Sequence, residues 1–578
     1  MKTLRIFFSA TFVVSLFFSC GSSAIILPPI ETIDNTPIKT ADLTDTEKHN
    51  WGHLDLIKDT IPGMSVDKAY SDIIKDKKGK TVIVAVIDTG IDIDHEDLKD
   101  VIWINTGEIA NNGKDDDKNG YVDDVYGWNF LGDGYNEQFE YVRLLASGDS
   151  INPEYNRAEK EYTEQRLKYS TLQKQYLEDK TTLEQYKNNY EQNKTNYEQF
   201  LQQLISADEA ISKYLNKKDY TKENVEAITT TEQYLQQSIA ILKYTYSIGF
   251  DTVMASKNEI NEGLKQLNEG LEQLNKDLKQ LNEGLEQFND RLNYNLNKDF
   301  KGRVNGDNPD DITTKYYGNN NVKPSKKRES HGTHVAGIIA ATRNNGIGMN
   351  GVANNVKIMP VRTVPNGDEY DKDVALAIRY AVDNGAKIIN GSFGKYYATH
   401  SDWVRDAIAY AGKHDVLMVI SAGNESVNLD KKASYPNDQV DNGPEISDTY
   451  MTIGALTPKY GSEMVAGYSN YGKFSVDVFS PGSDIYSTTP ENEYDSKSGT
   501  SMAAPDVTGV AALIRSYYPK LTAAQVKQVL MNSGLPVKTN VIVGGNADDI
   551  KPFMDLSKSG KIVNAYNALI MASQMVAK

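Results

Sequence analysis

The chain has a single cysteine, Cys20, among 578 residues. An intrachain disulfide is excluded, so stability has to come from a packed core and from bound ions. Basic charge is also short: 62 Lys and Arg stand against 79 Asp and Glu, a net charge of −17. That balance offers no surface for the phosphates of a nucleic acid. Apolar runs long enough to cross a bilayer are missing as well. The length is that of about two to four domains.

The one sustained apolar run is at the amino terminus. It begins with Lys2 and Arg5, continues through Ile6–Phe18, and is too short for an ordinary span. Residues 1–20 read as a signal peptide. The run ends Leu16-Phe17-Phe18-Ser19-Cys20-Gly21, which resembles a bacterial lipoprotein cleavage site. Cys20 would then be the lipidated first residue of an exported chain held on a membrane of the cell envelope. The alternative is a plain secretory signal with an incidental cysteine. Residues 21–45 are rich in Ser, Pro, Thr and Asp and read as a tether.

Three separated motifs carry chemistry. Gly499-Thr500-Ser501-Met502-Ala503-Ala504-Pro505 reads as a serine at the start of a buried helix, with Pro505 in its first turn. Free N–H groups and the positive end of the helix dipole would lie beside that serine, where an oxyanion would form. An ordinary helix cap is the bland alternative. Val82–Ile87 is a continuous apolar run ending in Asp88-Thr89-Gly90, suited to a parallel strand buried on both faces. An aspartate at its carboxyl end lies where open α/β sheets build sites, although a turn aspartate reads the same way locally. His331-Gly332-Thr333-His334-Val335-Ala336-Gly337 places a histidine ahead of small residues that permit close packing. The His331/His334 spacing alone is no zinc motif.

Taken together, the order Asp88, His331, Ser501 and the residues around each resemble the subtilisin-like serine proteases. That resemblance implies that Ser501 is the nucleophile, His331 the base and Asp88 the group that orients it. Ser421-Ala422-Gly423-Asn424 resembles the family's oxyanion segment, with Asn424 the side-chain donor. Asn390-Gly391-Ser392-Phe393-Gly394 resembles the strand that pairs with substrate backbone, so Ser392, Phe393, Gly394, Ala422 and Gly423 are the expected substrate-binding residues. Tyr468–Gly472 and Phe479–Gly482 resemble two further segments. His95 and His334 read as structural. Glu425 is a single charge that could favour a basic side chain. A Gly-x-Ser-x-Gly elbow is absent around Ser501, against an esterase.

Asp115-Asp116-Asp117-Lys118-Asn119-Gly120-Tyr121-Val122-Asp123 has oxygen donors at alternating positions and glycine at the sixth. The expected calcium ligands are Asp115, Asp117, Asn119, the Tyr121 carbonyl and Asp123. A solvated acidic loop is the alternative.

Residues 135–298 have few Val and are rich in Glu, Gln, Lys, Tyr and Leu, and read as helical throughout. A repeat, NEGLKQL, NEGLEQL, NKDLKQL, NEGLEQF, sets Leu264, Leu267, Leu271, Leu274, Leu278, Leu281, Leu285, Phe288 and Leu292 on one heptad seam. Tyr162, Tyr169, Tyr176, Leu183, Tyr190, Tyr197 and Leu204 form another. The spacing predicts an antiparallel arm, out along 158–206 and back along 260–295, with 223–247 as its tip or a third helix. Gly263, Gly270 and Gly284 each weaken an isolated helix by about 1 kcal/mol. Close approach of a partner helix is one reading of them. The arm either packs only on itself or serves as a substrate gate or protein-docking surface.

The expected fold is α/β, a subtilisin-like parallel sheet with helices on both faces, interrupted by a helical coiled-coil insertion. Residues 46–134 and 299–578 make the catalytic domain. Trp51, Leu54 and Ile57 are expected to pack on it. The expected function is hydrolysis of protein or peptide substrates by a serine endopeptidase. The alternative is a non-catalytic binding or structural protein on a subtilisin-like fold, acting through the arm.

Overall fold

The apolar run after residue 80 forms β1 (Val82–Asp88), buried on both faces. Val82, Val84 and Val86 enter one core layer and Ala85 and Ile87 the other. This is the alternation a pleated strand imposes. The structure, a computed structural model, describes residues 39, 41–440 and 443–577. The signal peptide, Cys20 and most of the 21–45 tether lie outside the described residues.

Eight strands join β1 in one sheet: β2 (Trp128–Asn129), β3 (Val356–Arg362), β4 (Ile388–Gly391), β5 (Leu417–Ser421), β6 (Tyr450–Leu456), β7 (Val478–Pro481), β8 (Leu535–Pro536) and β9 (Lys561–Ile562). Their order is β8-β9-β7-β6-β5-β4-β1-β3-β2. Every neighbouring pair is parallel except β8 with β9. Helices His331–Ala340 and Thr500–Tyr517 cover one face, and Asp371–Asp383 and Ser401–Lys413 the other. This is the α/β architecture expected from the sequence. Because β3 and β4 flank β1 on opposite sides, the winding reverses there. Such a switch point opens a crevice at the carboxyl ends of the strands.

The residues ahead of β1 belong to this body. Trp51 is buried and donates its indole N–H to the Ser483 carbonyl (2.9 Å). The Met64 carbonyl accepts from Ala565 N–H (2.7 Å), and Asn564 donates to Ser65 Oγ (2.8 Å). Leu54 packs against the core, but Ile57 is 42% exposed, because Leu56 takes the inward position of that short helix.

The arm is an antiparallel helical pair. Its outgoing helix, Tyr155–Leu215, has 61 residues, about 90 Å at 1.5 Å per residue. Two shorter helices, Lys222–Glu226 and Gln233–Ser247, form the tip, and Val253–Asp290 returns, continuing as a wider turn through Arg291–Asn295. Residues 135–154 depart from the helical expectation. The Tyr135 carbonyl accepts from Asn366 N–H (2.8 Å) and Glu137 N–H donates to the Asn366 carbonyl (3.1 Å). This extended pairing beyond β3 overrides helical propensity there, and the short helix Glu140–Ser147 follows.

The repeat glycines face tyrosine rings. A Cβ on Gly263 would lie 2.7 Å from Tyr197, one on Gly270 2.4 Å from Tyr190, and one on Gly284 2.7 Å from Tyr176. Each heptad gained on one helix is a heptad lost on the other, so the antiparallel register is constant. In that register Asp277, where the repeat lacks glycine, falls opposite Leu183, where the other seam lacks tyrosine.

Candidate active site

Asp88 is the last residue of β1 and is 1% exposed. Its Oδ1 accepts from Thr89 N–H (2.7 Å) and from His331 Nδ1 (2.7 Å). A carboxylate oxygen only accepts, so this contact places the imidazole proton on Nδ1 and leaves Nε2 as the basic nitrogen. Asp88 Oδ2 is buried with no hydrogen-bond partner among the described residues, which concentrates the carboxylate's demand for a donor on His331. His331 begins its helix, and its side chain is 33% exposed. Gly332 makes that placement possible. A Cβ there would lie 2.3 Å from the Gly90 carbonyl and 3.2 Å from Asp88 Cβ.

Ser501 is the second residue of the helix Thr500–Tyr517, which packs against the histidine helix. Pro505 is the sixth residue of this helix, a full turn later than expected from the sequence. Lacking an N–H, it cannot bond the carbonyl four residues back, which is that of Ser501. Ser392 Oγ supplies the missing donor (2.8 Å), and Ser501 Oγ donates in return to the Ser392 carbonyl (3.2 Å). Asn390 donates to Ser392 Oγ (3.0 Å) and accepts from Thr508 (2.9 Å). The Asn390–Gly394 segment and the serine helix are thereby locked together. Among the described hydrogen bonds, Asp88 joins His331, while Ser501 is joined to Ser392.

Asn424 follows β5 and is exposed. Its Oδ1 accepts from Thr500 N–H (2.9 Å) and Thr500 Oγ1 (3.0 Å), which fixes the amide by its oxygen. Gly423 N–H donates to Thr500 Oγ1 (3.0 Å). Ala422 is buried, and the Phe393 ring lies in the core layer beneath Asp371–Asp383, so Phe393 can meet a substrate only through its backbone. Gly394 is exposed.

Asn470 is a hub whose role the sequence concealed. Its NH₂ donates to the Ala422 carbonyl (2.8 Å) and Tyr396 OH (2.7 Å), and its Oδ1 accepts from Glu425 N–H (3.2 Å) and Val427 N–H (2.8 Å). Glu425 accepts from Tyr396 OH and from Asn424 N–H (2.8 Å). Lys395 is also hidden in sequence. It is buried, at 3.0 Å from Glu140 and 2.9 Å from Asp371.

The other candidates sort clearly. His95 and His334 are buried and bond the carbonyls of Glu493 (3.2 Å) and Asp495 (3.0 Å). Burial lowers the His334 pKa to about 3, so it stays neutral. Asp506 is buried beneath Gly52, and burial alone pushes its carboxyl far up.

In the acidic loop, oxygens of Asp115, Asp117 and Glu108 lie within 4.8 Å of one another. Glu108 Oε2 is buried without a hydrogen-bond partner among the described residues. This cluster fits a hard cation. Glu108 stands outside the motif spacing, and nothing in the loop pattern pointed to it. Asp123 instead accepts from Asn112 N–H (3.1 Å) and Gly113 N–H (2.9 Å). Asn119 donates to Asp117 (3.3 Å) and Asp124 (3.0 Å) while its Oδ1 accepts from Tyr121 N–H (2.8 Å).

The chain is similar to several known proteases. The cell wall-associated protease of Bacillus subtilis (strain 168) is 34% identical over 251 residues, covering 43% of this chain and 25% of that protein. The thermophilic serine proteinase of Bacillus sp. (strain AK1) is 42% identical over 189 residues, covering 32% of this chain and 43% of that one. Subtilisin DY of Bacillus licheniformis is 35% identical over 205 residues, covering 35% and 69%. The chain thus spans less than half the length of the first two. Residues 79–550, which include Asp88, His331, Asn424 and Ser501, match the profile described as Subtilase family, and the chain belongs to that family.

Proposed function

We propose that the protein is a serine endopeptidase acting on protein or peptide substrates, with Asp88, His331 and Ser501 as its triad. The observation that carries this is the 2.7 Å contact of Asp88 with His331 Nδ1 at the sheet's switch point. In the proposed step, Ser501 Oγ leaves the Ser392 carbonyl, turns to His331 Nε2 and attacks the substrate carbonyl carbon. Its proton passes to His331 and then to the leaving amine, while Asp88 stabilises the imidazolium. Asn424 Nδ2 and the Ser501 N–H, a first-turn donor with no acceptor outside its helix among the described residues, would receive the oxyanion. A water then repeats the sequence on the acyl-enzyme. Ser392–Gly394 and Ala422–Gly423 would pair with the substrate backbone.

Glu108, Asp115 and Asp117 would hold a structural calcium. Export, with lipid anchoring at Cys20, and a protein partner on the arm belong to the same reading. The test is labelling with a fluorophosphonate probe together with hydrolysis of a mixed peptide library. Ser501 should be labelled, and Ser501→Ala should lose both signals while keeping the wild-type melting temperature. Asn424→Ala should lower kcat by about two to three orders of magnitude at similar KM, the size of loss seen for such a donor in subtilisin. Unchanged turnover in Ser501→Ala would reject the assignment and favour a binding role.

A further inference from the structure

The arm touches the catalytic body at a place with chemical meaning. On the outgoing helix, Arg157 donates to the Tyr396 carbonyl (2.7 Å) and its guanidinium lies 3.8 Å from the Tyr397 ring centroid. Tyr397 OH reaches Glu161 (3.4 Å) and its ring meets Tyr141 at 5.4 Å. Tyr396 follows the Ser392–Gly394 segment by two residues. Its hydroxyl bonds the Glu425 carboxylate, which in turn accepts the N–H of Asn424. Asn470 closes the circuit by bonding Tyr396 OH and the Ala422 carbonyl. Burial first, and the Glu425 carboxylate next, hold the Tyr396 phenol above its ordinary range, so it remains a donor. On the returning helix, Asp290 (2.7 Å) and Glu286 (3.4 Å) bind Arg328, three residues ahead of His331. The two ends of the arm therefore hold both walls of the crevice.

We infer that Tyr396 is a positioning residue through which the arm base holds the Ala422–Asn424 segment, so that the arm regulates turnover rather than standing apart from it. The inference rests on the peptidase reading. It requires a chain of direct contacts from Arg157 to Asn424, and each link is present. Tyr396 acts through Glu425 and Asn470 on the placement of Asn424, which serves the developing oxyanion. The loss of its hydroxyl therefore falls on kcat and not on substrate affinity.

The experiment is a double-mutant cycle in the full chain with a short chromogenic peptide. Tyr396→Phe should lower kcat by roughly five- to tenfold, the worth of one hydrogen bond, with KM within about twofold. Arg157→Ala should lower kcat by roughly two- to threefold. In an Asn424→Ala background both changes should shrink to less than about twofold, because the group they position is gone. A residue that merely supports the fold would give multiplicative losses in both backgrounds. Multiplicative losses, an effect confined to KM, or an unchanged kcat overturn the inference. Where Tyr396→Phe fails to fold, Glu425→Ala removes the same hydrogen bond from its other end together with that from Asn424 N–H, and must show at least the same loss and the same disappearance. Fluorophosphonate labelling of Ser501 in the unmodified protein is scored separately. Absence of labelling overturns the peptidase reading and this inference with it, whereas labelling with a multiplicative cycle overturns this inference alone.

Discussion

Gly270→Ala sets two physical effects against each other in the arm. Helix propensity favours alanine by about 1 kcal/mol. Against it, the new Cβ would lie 2.4 Å from Tyr190 Cε1, a distance no packed pair sustains. The ring is 37% exposed, so it can swing outward, and doing so gives up the part of its surface packed in the seam. At about 25 cal/mol per Å² over roughly 80 Å² of ring, that loss is about 2 kcal/mol. The net expectation is a weakening of the arm by about 1 kcal/mol. Tyr190→Leu should reverse the sign, since Leu183 already faces a residue with a Cβ, Asp277, in the same register. In that background Gly270→Ala should strengthen the arm by about 1 kcal/mol, a coupling of about 2 kcal/mol between the two positions. A melting temperature of the whole chain does not isolate the arm, so it is the wrong measure for this local effect. Amide hydrogen exchange along Val253–Asp290 in the intact protein reads the local free energy directly. Protection rising about fivefold with Gly270→Ala in both backgrounds would show that the glycines have nothing to do with the rings.

Calcium should raise the thermal midpoint in proportion to the logarithm of its free concentration. Glu108→Gln and Asp115→Asn should abolish most of that increment, whereas Asp123→Asn, whose oxygens serve Asn112 and Gly113, should keep it; differential scanning calorimetry with and without chelator decides. Removing residues 176–284 behind a short Gly/Ser bridge should leave peptide turnover within about twofold, because Arg157, Glu286 and Asp290 remain. Removing residues 162–292 takes away both carboxylate partners of Arg328, leaving it Tyr135, and should lower turnover further; near-equal turnover of the two would reject a role for the returning end of the arm. Asp438 is pushed up to about 6 by burial and by the Glu445 carboxylate, from an ordinary value of 3.8. The folded state then binds more protons than the unfolded state between about pH 4 and 6, so this group makes stability fall as pH rises through that window. Asp438→Asn should remove up to about 3 kcal/mol of that fall, read from urea midpoints at both ends.

The parallel sheet and the candidate site were legible because their signals are local. A strand buried on both faces must be a continuous apolar run, and Val82–Ile87 is one. Asp88, His331, Asn424 and Ser501 each sit in a short stretch whose small residues are demanded by close approach, as Gly332 shows against Gly90. What stayed hidden depends on tertiary partners. Pro505 looked like a first-turn proline, and only the fold reveals that its missing N–H frees the Ser501 carbonyl for Ser392. Asn470, Glu108 and Lys395 gain their roles from residues far away in sequence, and no spacing rule reaches them. The glycines of the repeat were visible, but their reason lies on the other helix.

The same distinction locates the boundary of the arm. Heptad periodicity runs from Tyr162 on one side to Leu292 on the other, and periodicity alone puts the division at its ends. The contacts place it further out. Tyr155, Tyr162, Tyr169 and Leu292 pack into a cluster with Tyr141, Leu145, Leu296 and Tyr397 of the body, while Asp290 accepts from Asn366 (3.0 Å) as well as from Arg328. Beyond Tyr176 and Gly284 the described helices pack their seams against each other and, towards the tip, against the tip helices. A helix that satisfies its apolar stripe with its own partner can be lengthened or shortened by whole heptads without disturbing what lies below. A helix that shares that stripe with the body cannot. Roughly the first four turns of the outgoing helix and the last turns of the returning one are of the second kind, and they are the turns that carry Arg157, Glu286 and Asp290 to the crevice.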